Sequence, residues 1–538
     1  MREDVFGSLP RLAAERWHDA TAIVHGAREY RFGEVDRLVD EAARGLMALG
    51  VAKGDRVALL STNRPEFIVA LYAILKIGAV AVPLNTRYRE KDLAYTIQFA
   101  ECKILITLDE SGPIDYLGII GRIMAEASVS AGRLVLPGFP ILEQVVVIGE
   151  RALEWSFPWR RLLEAGATID PEDLETRARA VDPEDTCLIV YTSGTTGLPK
   201  GVMHSHRPLR ACRERTRRWG IQPGSSTVNY LPMFHLYSLS EIVIGALIAG
   251  TRQIVMDGFD ADTALDLIAR HRVDIIHGFD THFLDILRAL ESRPRDVSSL
   301  RFGTFPSGME SSIAVARAVQ KRLCPTVTGL GMSETWAWVG ITTLEDSEQQ
   351  RCETSGWPLP GVEVRIADPV TGATQPPGVP GEILYRGYTL MQGYYRDPET
   401  TRKSFDAEGW FRSGDQGVYR PDGFLQFQGR YKEMLRVGGE NVSAVGVETE
   451  LMMLEPRIAQ VAVVPYPDTR LGEIVVAYVV PHAGRTLSAE DIQAACRGKI
   501  ASFKIPRHVI FVAELPMTAS GKVQRGILRD RALVDLKG

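Results

Sequence analysis

A chain of 538 residues is too long for a single hydrophobic core, so two or more domains are expected. Apolar residues at 45% and charged residues at 24% are ordinary for a soluble globular protein, and a net charge of -5 gives no electrostatic case for a nucleic-acid partner. Cys102, Cys187, Cys212, Cys324, Cys352 and Cys496 are scattered with no CxxC pair, which argues against a zinc site or a disulfide framework and fits a reducing compartment.

The N-terminal MREDVFGSLPRLAAERW has early acidic residues and no long apolar core, unlike a secretory leader. Leu9, Leu12, Ala13 and Trp17 instead suit one face of a helix. The longest apolar runs, at 67–75 and 242–250, fall well short of the roughly 20 residues of a membrane span and read as buried helices of a cytoplasmic protein. DRVALLS reads as a strand, PEFIVALYAILKIGAVAVPL as a helix leading into another strand, and CKILIT, QVVVIG and TCLIVYTSG continue the series. The stretch 109–140 has no clear period. RERTRRWG, at 213–220, reads as the solvated face of a helix. TALDLIARH followed by VDIIHGF repeats the helix-strand alternation, and strands apolar throughout imply parallel sheets covered by helices.

From about 352 to 430 turn-rich segments alternate with short strands, the texture of a small β-rich subdomain. Beyond GRYKEMLRVGGENVSAVGVE the chain changes again. IAQVAVVPYPD, EIVVAYVVPH and HVIFVAELP read as strands, and SAEDIQAACRGKI as a helix capped by Ser488. The expected fold is α/β. A large N-terminal domain, 1–431, holds parallel-rich sheets and the β-rich subdomain. A small mobile α+β domain, 432–538, follows it.

The segment with most chemistry is YTSGTTGLPKG, at 191–201, after an apolar strand. It is not a P-loop: Gly194, Gly197 and Lys200 have the wrong spacing, and Gly201 stands where the magnesium-binding hydroxyl would be. Its parts still suit a polyphosphate. Gly194 and Gly197 permit close backbone approach, Thr192, Ser193, Thr195 and Thr196 offer hydroxyls, and Lys200 offers a movable charge. The bland alternative is a solvent-exposed turn between strand and helix.

YTSGTTGLPKG resembles the phosphate-gripping motif of the adenylate-forming superfamily, the acyl-CoA synthetases among them. GLGMSET (329–335) resembles its adenine- and magnesium-binding motif, and WFRSGD (410–415) its ribose-binding segment. GRYKEMLRVGGENV (429–442) resembles the hinge and following hairpin, and MTASGKVQR (517–525) the C-terminal lysine motif. All five occur in family order and cover almost the whole chain. The resemblance implies that 192–201, with Lys200, closes over the β- and γ-phosphates. Gly329, Leu330, Gly331, Met332 and Ser333 would line the adenine, and Glu334 would hold Mg2+. Asp415 would accept from the ribose hydroxyls, with Arg430 reaching ribose or phosphate. Lys522 would neutralise charge at the α-phosphate, Lys432 would be the hinge, and Gly438 and Gly439 would border the CoA tunnel. His235 would sit beside the acyl group, although a core histidine is the bland reading, and His206 reads as structural. Three positions depart from the pattern: Leu330 replaces a common aromatic ring, Ala444 replaces proline, and Gly446 replaces the first glutamate of a pair, leaving Glu448.

The implied activity is ATP-dependent acid–CoA ligation through an acyl adenylate, with ATP, Mg2+ and coenzyme A. The absence of a Ser-His-Asp or Cys-His signature fits chemistry done by placement and charge neutralisation. No acid stands beside His235 until Glu241, and a buried ammonium without a carboxylate partner is costly, so an α-amino acid is not expected. The acyl pocket is expected from His235, His277, Asp280, Trp336 and Trp338, with His282 beside them; core packing is the commoner role for the tryptophans. If they line it, they favour medium-chain, branched or ring-bearing acids. Two alternatives stay open: a ligase loading a carrier protein, and an inactive nucleotide-binding homologue. A homodimer is among the assemblies left open.

Overall fold

The computed structural model describes residues 2–130, 132–192, 199–308, 310–431, 434–437, 440–468, 471–497, 499–500, 502–518 and 522–536. The apolar strands gather into two large sheets. One runs Gly393–Tyr394, Lys200–Ser205, Thr186–Thr192, Val80–Pro83, Arg56–Leu60, Cys102–Leu108, Gln144–Ile148, Phe157–Pro158. It is parallel from Thr186–Thr192 to Phe157–Pro158 and antiparallel at the other end. The other runs Thr326–Val327, Phe302–Thr304, Ile275–His277, Ser226–Asn229, Arg252–Val255, Thr21–His25, Arg28–Arg31, and only its last pair is antiparallel. These are the helix-covered parallel sheets that continuous apolar runs require.

Helix Pro65–Lys76 shows why its run reads as apolar: every residue from Phe67 to Lys76 is buried. The buried lysine at its end pairs with Asp40 and, at 3.7 Å, Asp36. The run 242–250 is likewise buried except for the partly exposed Ile248, as a π-helical stretch Ser238–Ile244 passing into helix Gly245–Ala249. In the stretch without a clear period lie helix Tyr116–Ile123, capped by Asp115, and a small hairpin, Ser128–Ser130 with Arg133–Val135.

The basic cluster is a helix, Leu209–Arg218, but not a uniformly solvated face. Arg217 and Arg218 do lie outward on Glu214. Arg215 is wholly buried. Its Nε meets Glu241 at 2.9 Å, and it donates to the Ser240 hydroxyl and the Trp338 carbonyl, both at 2.6 Å. Sequence could not separate it from its neighbours, because the partners that make its burial tolerable come from distant segments. Removing either member of such a pair strands a buried charge at a cost of about 3–5 kcal/mol.

Strands Val362–Ala367, Gly381–Gly387, Phe411–Tyr419 and Leu425–Arg430 form an antiparallel sheet. Gly393–Tyr394, between them in sequence, leaves this sheet and pairs with Val202 and Met203 at the edge of the eight-stranded one.

The last hundred or so residues form a small α+β unit, as the alternation in their sequence implies. Strands Ile458–Asp468 and Gly472–Pro481 pair in a long ladder, with His508–Phe511 parallel to the second. Helices Ala444–Leu454 and Ala489–Cys496 start at Ser443 and Ser488, whose hydroxyls accept backbone N–H groups that the first turn leaves orphaned. One face of the sheet packs on these helices, the other on Arg525–Asp535. The chain thus has the expected α/β architecture of a large N-terminal domain and a small C-terminal one. Among the described residues, no helix is long and apolar enough to cross a membrane.

Candidate active site

Strand Thr186–Thr192 pairs with Lys200–Ser205 in a register that sets Thr192 opposite Lys200 and Tyr191 opposite Gly201. The glycine-rich loop therefore joins two antiparallel strands, not a strand and a helix. Ser193, Gly194, Thr195, Thr196 and Gly197 lie outside the described residues. Gly201 has no room for a side chain, since a Cβ there would lie 2.9 Å from Ile189 and 3.1 Å from the Tyr191 ring. The Lys200 ammonium stands 5.3 Å above the centre of the Tyr394 ring, a cation–π contact.

Tyr394 leads to the second group. Its hydroxyl donates to Glu334 Oε1 at 3.0 Å, and Met391 N donates to the Glu334 carbonyl at 2.8 Å. Glu334 lies in a single turn, Ser333–Thr335, between antiparallel strands Gly329–Met332 and Ala337–Ile341. The strands approach so closely that a Cβ on Gly331 would overlap the Ala337 carbonyl, so the turn needs glycine there. Leu330, Gly331, Met332 and Ser333 are half-buried, leaving one face open.

After the turn, Trp336 and Ala337 take φ of 56° and 57°, a left-handed backbone unusual for a bulky residue. The Trp336 ring explains how this is held. It stacks on Phe6 at 4.9 Å, donates from Nε1 to Cys212 Sγ at 3.3 Å, and takes the edge of His204. His204 Nε2 in turn donates to the Ser333 carbonyl at 2.6 Å. Trp336 is therefore packed in the core. His204 and Tyr394 are site residues that sequence reading missed. Only the partner at the far end of each hydrogen bond gives them meaning.

Asp415 and Arg430 face each other across strands Phe411–Tyr419 and Leu425–Arg430, with Arg430 Nε 3.2 Å from Asp415 Oδ1. The carboxylate is buried and the arginine half-exposed.

His235 is exposed to solvent, yet a mass of protein lies close enough to desolvate its ring. Desolvation by that mass, then the positive charges of Lys522 and Arg87, lower its pKa to about 4. Lys522, from the C-terminal domain, therefore stands near enough to His235 for its charge to be felt. Beyond His235, Tyr237 stacks on Trp338 at 5.2 Å and reaches Thr304 Oγ1 at 2.7 Å, where His277 Nδ1 also arrives at 2.7 Å. Asp280 and His282 are engaged locally. Asp280 accepts from Ser312 Oγ at 2.9 Å, and His282 accepts from Phe279 N while stacking on Tyr230. Glu241, the nearest acid in sequence, is held by Arg215. His206 accepts from Phe6 N at 3.1 Å, a structural role.

Glu448 is buried, accepts from Val463 N at 2.7 Å, and takes Arg525 through both carboxylate oxygens at 2.9 and 2.7 Å. It thereby ties helix Ala444–Leu454 to the turn that carries Lys522. That turn is closed by Thr518, whose N–H donates to the Lys522 carbonyl at 2.7 Å and whose hydroxyl accepts from Lys522 N at 3.0 Å. Lys432, Gly438 and Gly439 lie outside the described residues, but Val437 and Glu440 on either side of the glycines are cross-strand neighbours.

Buried histidines give a pH prediction. Burial lowers His204 to about 4 and His277 to about 3. In the unfolded chain both take up protons below about 6.5. Between these values the unfolded state binds more protons, so stability falls as pH drops through that window, by about 2 kcal/mol per ring at pH 5. Denaturant unfolding at pH 7 and pH 5 checks it: the loss should shrink in His277→Gln, and an equal loss in that variant would contradict it.

The AMP-binding enzyme family matches residues 11–395, and the AMP-binding enzyme C-terminal domain matches residues 447–522. The feruloyl-CoA synthase of an Amycolatopsis species is 32% identical over 533 residues, spanning 99% of this chain and 100% of its own. The medium-chain fatty-acid–CoA ligase of Escherichia coli (strain K12) is 31% identical over 524 residues, spanning 95% and 87%. A solved anthranilate CoA ligase, in complex with anthranoyl-AMP, has a TM-score of 0.85 at 26% identity, covering 99% of this chain and 98% of that one. The chain belongs to the AMP-binding enzyme family and is an AMP-forming acyl-CoA synthetase.

Proposed function

We propose that this enzyme activates a medium-chain, branched or ring-bearing carboxylic acid, with Lys200, Glu334, Asp415, Arg430, Lys522 and His235 as its working residues. The carrying observation is that Lys200 and Glu334, distant in sequence, both contact Tyr394, the lysine over its ring face and the glutamate at its hydroxyl.

The acid's carboxylate oxygen attacks the α-phosphorus of ATP, the bond to the bridging oxygen breaks, and pyrophosphate leaves. The thiol of CoA then attacks the acyl carbon, AMP departs with its oxygen, and the thiol proton passes to solvent. In the first step Lys200, with the loop it closes, holds the β- and γ-phosphates, and Asp415 accepts from the ribose. Lys522 meets the negative charge that grows at the α-phosphate. His235, held neutral by its surroundings, presents an uncharged ring to the acid and does not trap its carboxylate as an ion pair.

Among the described residues, no group of three or more His, Cys, Asp or Glu forms a metal cage. This suits Mg2+, which is usually held by one or two carboxylates together with substrate phosphates. Glu334 is the residue that would hold it, and the ion would neutralise phosphate charge. We further place the moving unit at residues 432–538 and the protein in the cytoplasm, where six buried free thiols are stable.

The substrate range rests on the bulk of the stacked Tyr237 and Trp338 rings and on the similarity to feruloyl- and medium-chain-acid ligases. Pyrophosphate release across a panel of linear, branched and aromatic acids tests it. Trp338→Ala should shift preference toward larger acids by about tenfold in relative kcat/KM, the scale of one or two methylenes of pocket space. An unchanged ranking would remove Trp338 from the pocket, and a wild-type preference for long linear acids would remove the proposed class.

A further inference from the structure

We infer that Tyr394 is a positioning residue that fixes which oxygen of Glu334 faces the nucleotide phosphates, and that Glu101 locks the turn that carries it. The inference rests on the reading of Glu334 and Lys200 given above.

Tyr394 is tied from every side. Its strand, Gly393–Tyr394, pairs with Lys200–Ser205, so its backbone is fixed relative to the phosphate-loop strand. Tyr394 N donates to Thr401 Oγ1 at 2.8 Å, and the next residue, Tyr395, donates from N to the Gly201 carbonyl at 2.7 Å. The Tyr394 hydroxyl then takes Glu334 Oε1, leaving Oε2 to meet a cation, while the ring face meets Lys200. One side chain thus sets the spacing of a carboxylate and an ammonium that must address the same triphosphate. An unanchored glutamate could rotate, presenting either oxygen or pairing with the lysine.

The turn after Tyr394 is strained and clamped. Arg396 has φ of 56° and Glu101 has φ of 51°, both left-handed without being glycine. They face each other: Arg396 Nη1 lies 3.0 Å from Glu101 Oε1, and the Tyr395 hydroxyl donates to Glu101 Oε2 at 3.0 Å. Arg56 adds a third donor to Glu101 at 3.3 Å. Such conformations persist where surrounding contacts over-determine them, and they concentrate at functional sites. Glu101 precedes strand Cys102–Leu108, far from Arg396 in sequence, so the clamp joins two distant segments of the chain.

The test is Tyr394→Phe, which keeps the ring, its packing and its face toward Lys200. The Mg2+ concentration for half-maximal acid-dependent pyrophosphate release should rise about tenfold, the scale of a lost hydrogen bond to a charged group. Mn2+ affinity for the enzyme with a non-hydrolysable ATP analogue, read by electron paramagnetic resonance, should fall by a similar factor. Analogue binding without metal should stay at the wild-type value. Glu101→Ala should move both readouts in the same direction by a smaller factor. A purely structural role for Tyr394 would lower Tm and leave the metal readouts unmoved, which would overturn the inference; unmoved readouts in Glu101→Ala would overturn the lock. The Mn2+ titration tests Tyr394 whichever way the wild-type pyrophosphate assay falls, so the two readings fail separately.

Discussion

Lys522→Ala should lose acyl-adenylate formation by about 10²-fold or more while still converting a supplied acyl adenylate and CoA to thioester. A loss of this size corresponds to about 3 kcal/mol of transition-state stabilisation, typical of one charged group aimed at developing charge in a water-poor site. By the proposal above, Lys522 serves the first half-reaction. Its charge reaches His235, and its turn is held by Thr518 and, through Arg525, by Glu448. The glycine hairpin expected at the CoA tunnel belongs to the same small domain, whose own sheet and helices make it one packed unit. One rigid unit can hardly present both parts to the same cleft, so rotation about Lys432 is the simpler account. Lys432→Pro, which fixes φ, should therefore impair thioester formation more than adenylation. Each half-reaction is measured separately on folded variants. Equal slowing of both halves by both substitutions would refute alternation.

Glu334→Gln should also cut adenylation by about 10²-fold or more, with little change in fold. The amide keeps the shape and can still accept from Tyr394, but it no longer offers a charged oxygen to Mg2+. Pyrophosphate release at limiting Mg2+ is the readout, and near-normal rates there would dismiss Glu334 as the metal-holding residue. The packing of the turn, through His204 on Ser333 and Trp336 on Phe6, does not involve the Glu334 carboxylate. The variant therefore separates chemistry from folding.

The candidate site residues could be named from the sequence because five short motifs resemble those of one family. Lys200 in YTSGTTGLPKG, Glu334 in GLGMSET and Asp415 in WFRSGD each sit in a short motif that resembles the family's. Tyr394 was not legible, since a tyrosine in QGYYRD has no local mark of its bond to Glu334. Arg215 was misread for the same reason: among the five arginines of helix Leu209–Arg218, only the fold shows which one points inward. Trp336 and Trp338 look alike in sequence, yet one is stacked on Phe6 and the other on Tyr237.

The sequence by itself determined many of the elements, because helix caps, apolar runs and glycine-rich turns act over a few residues, and its motifs gave the reaction class through their resemblance to one family. Ser443 and Ser488 cap helices wherever those helices finally pack. The tertiary structure alone decided that the phosphate loop joins two antiparallel strands, and that Gly393–Tyr394 crosses to the larger sheet to hold Glu334. It also decided which charged side chains are buried. Burial of a charge is tolerable only where a partner arrives from elsewhere in the chain, as Glu241 does for Arg215. That arrival depends on the whole fold and leaves no trace in the residues on either side.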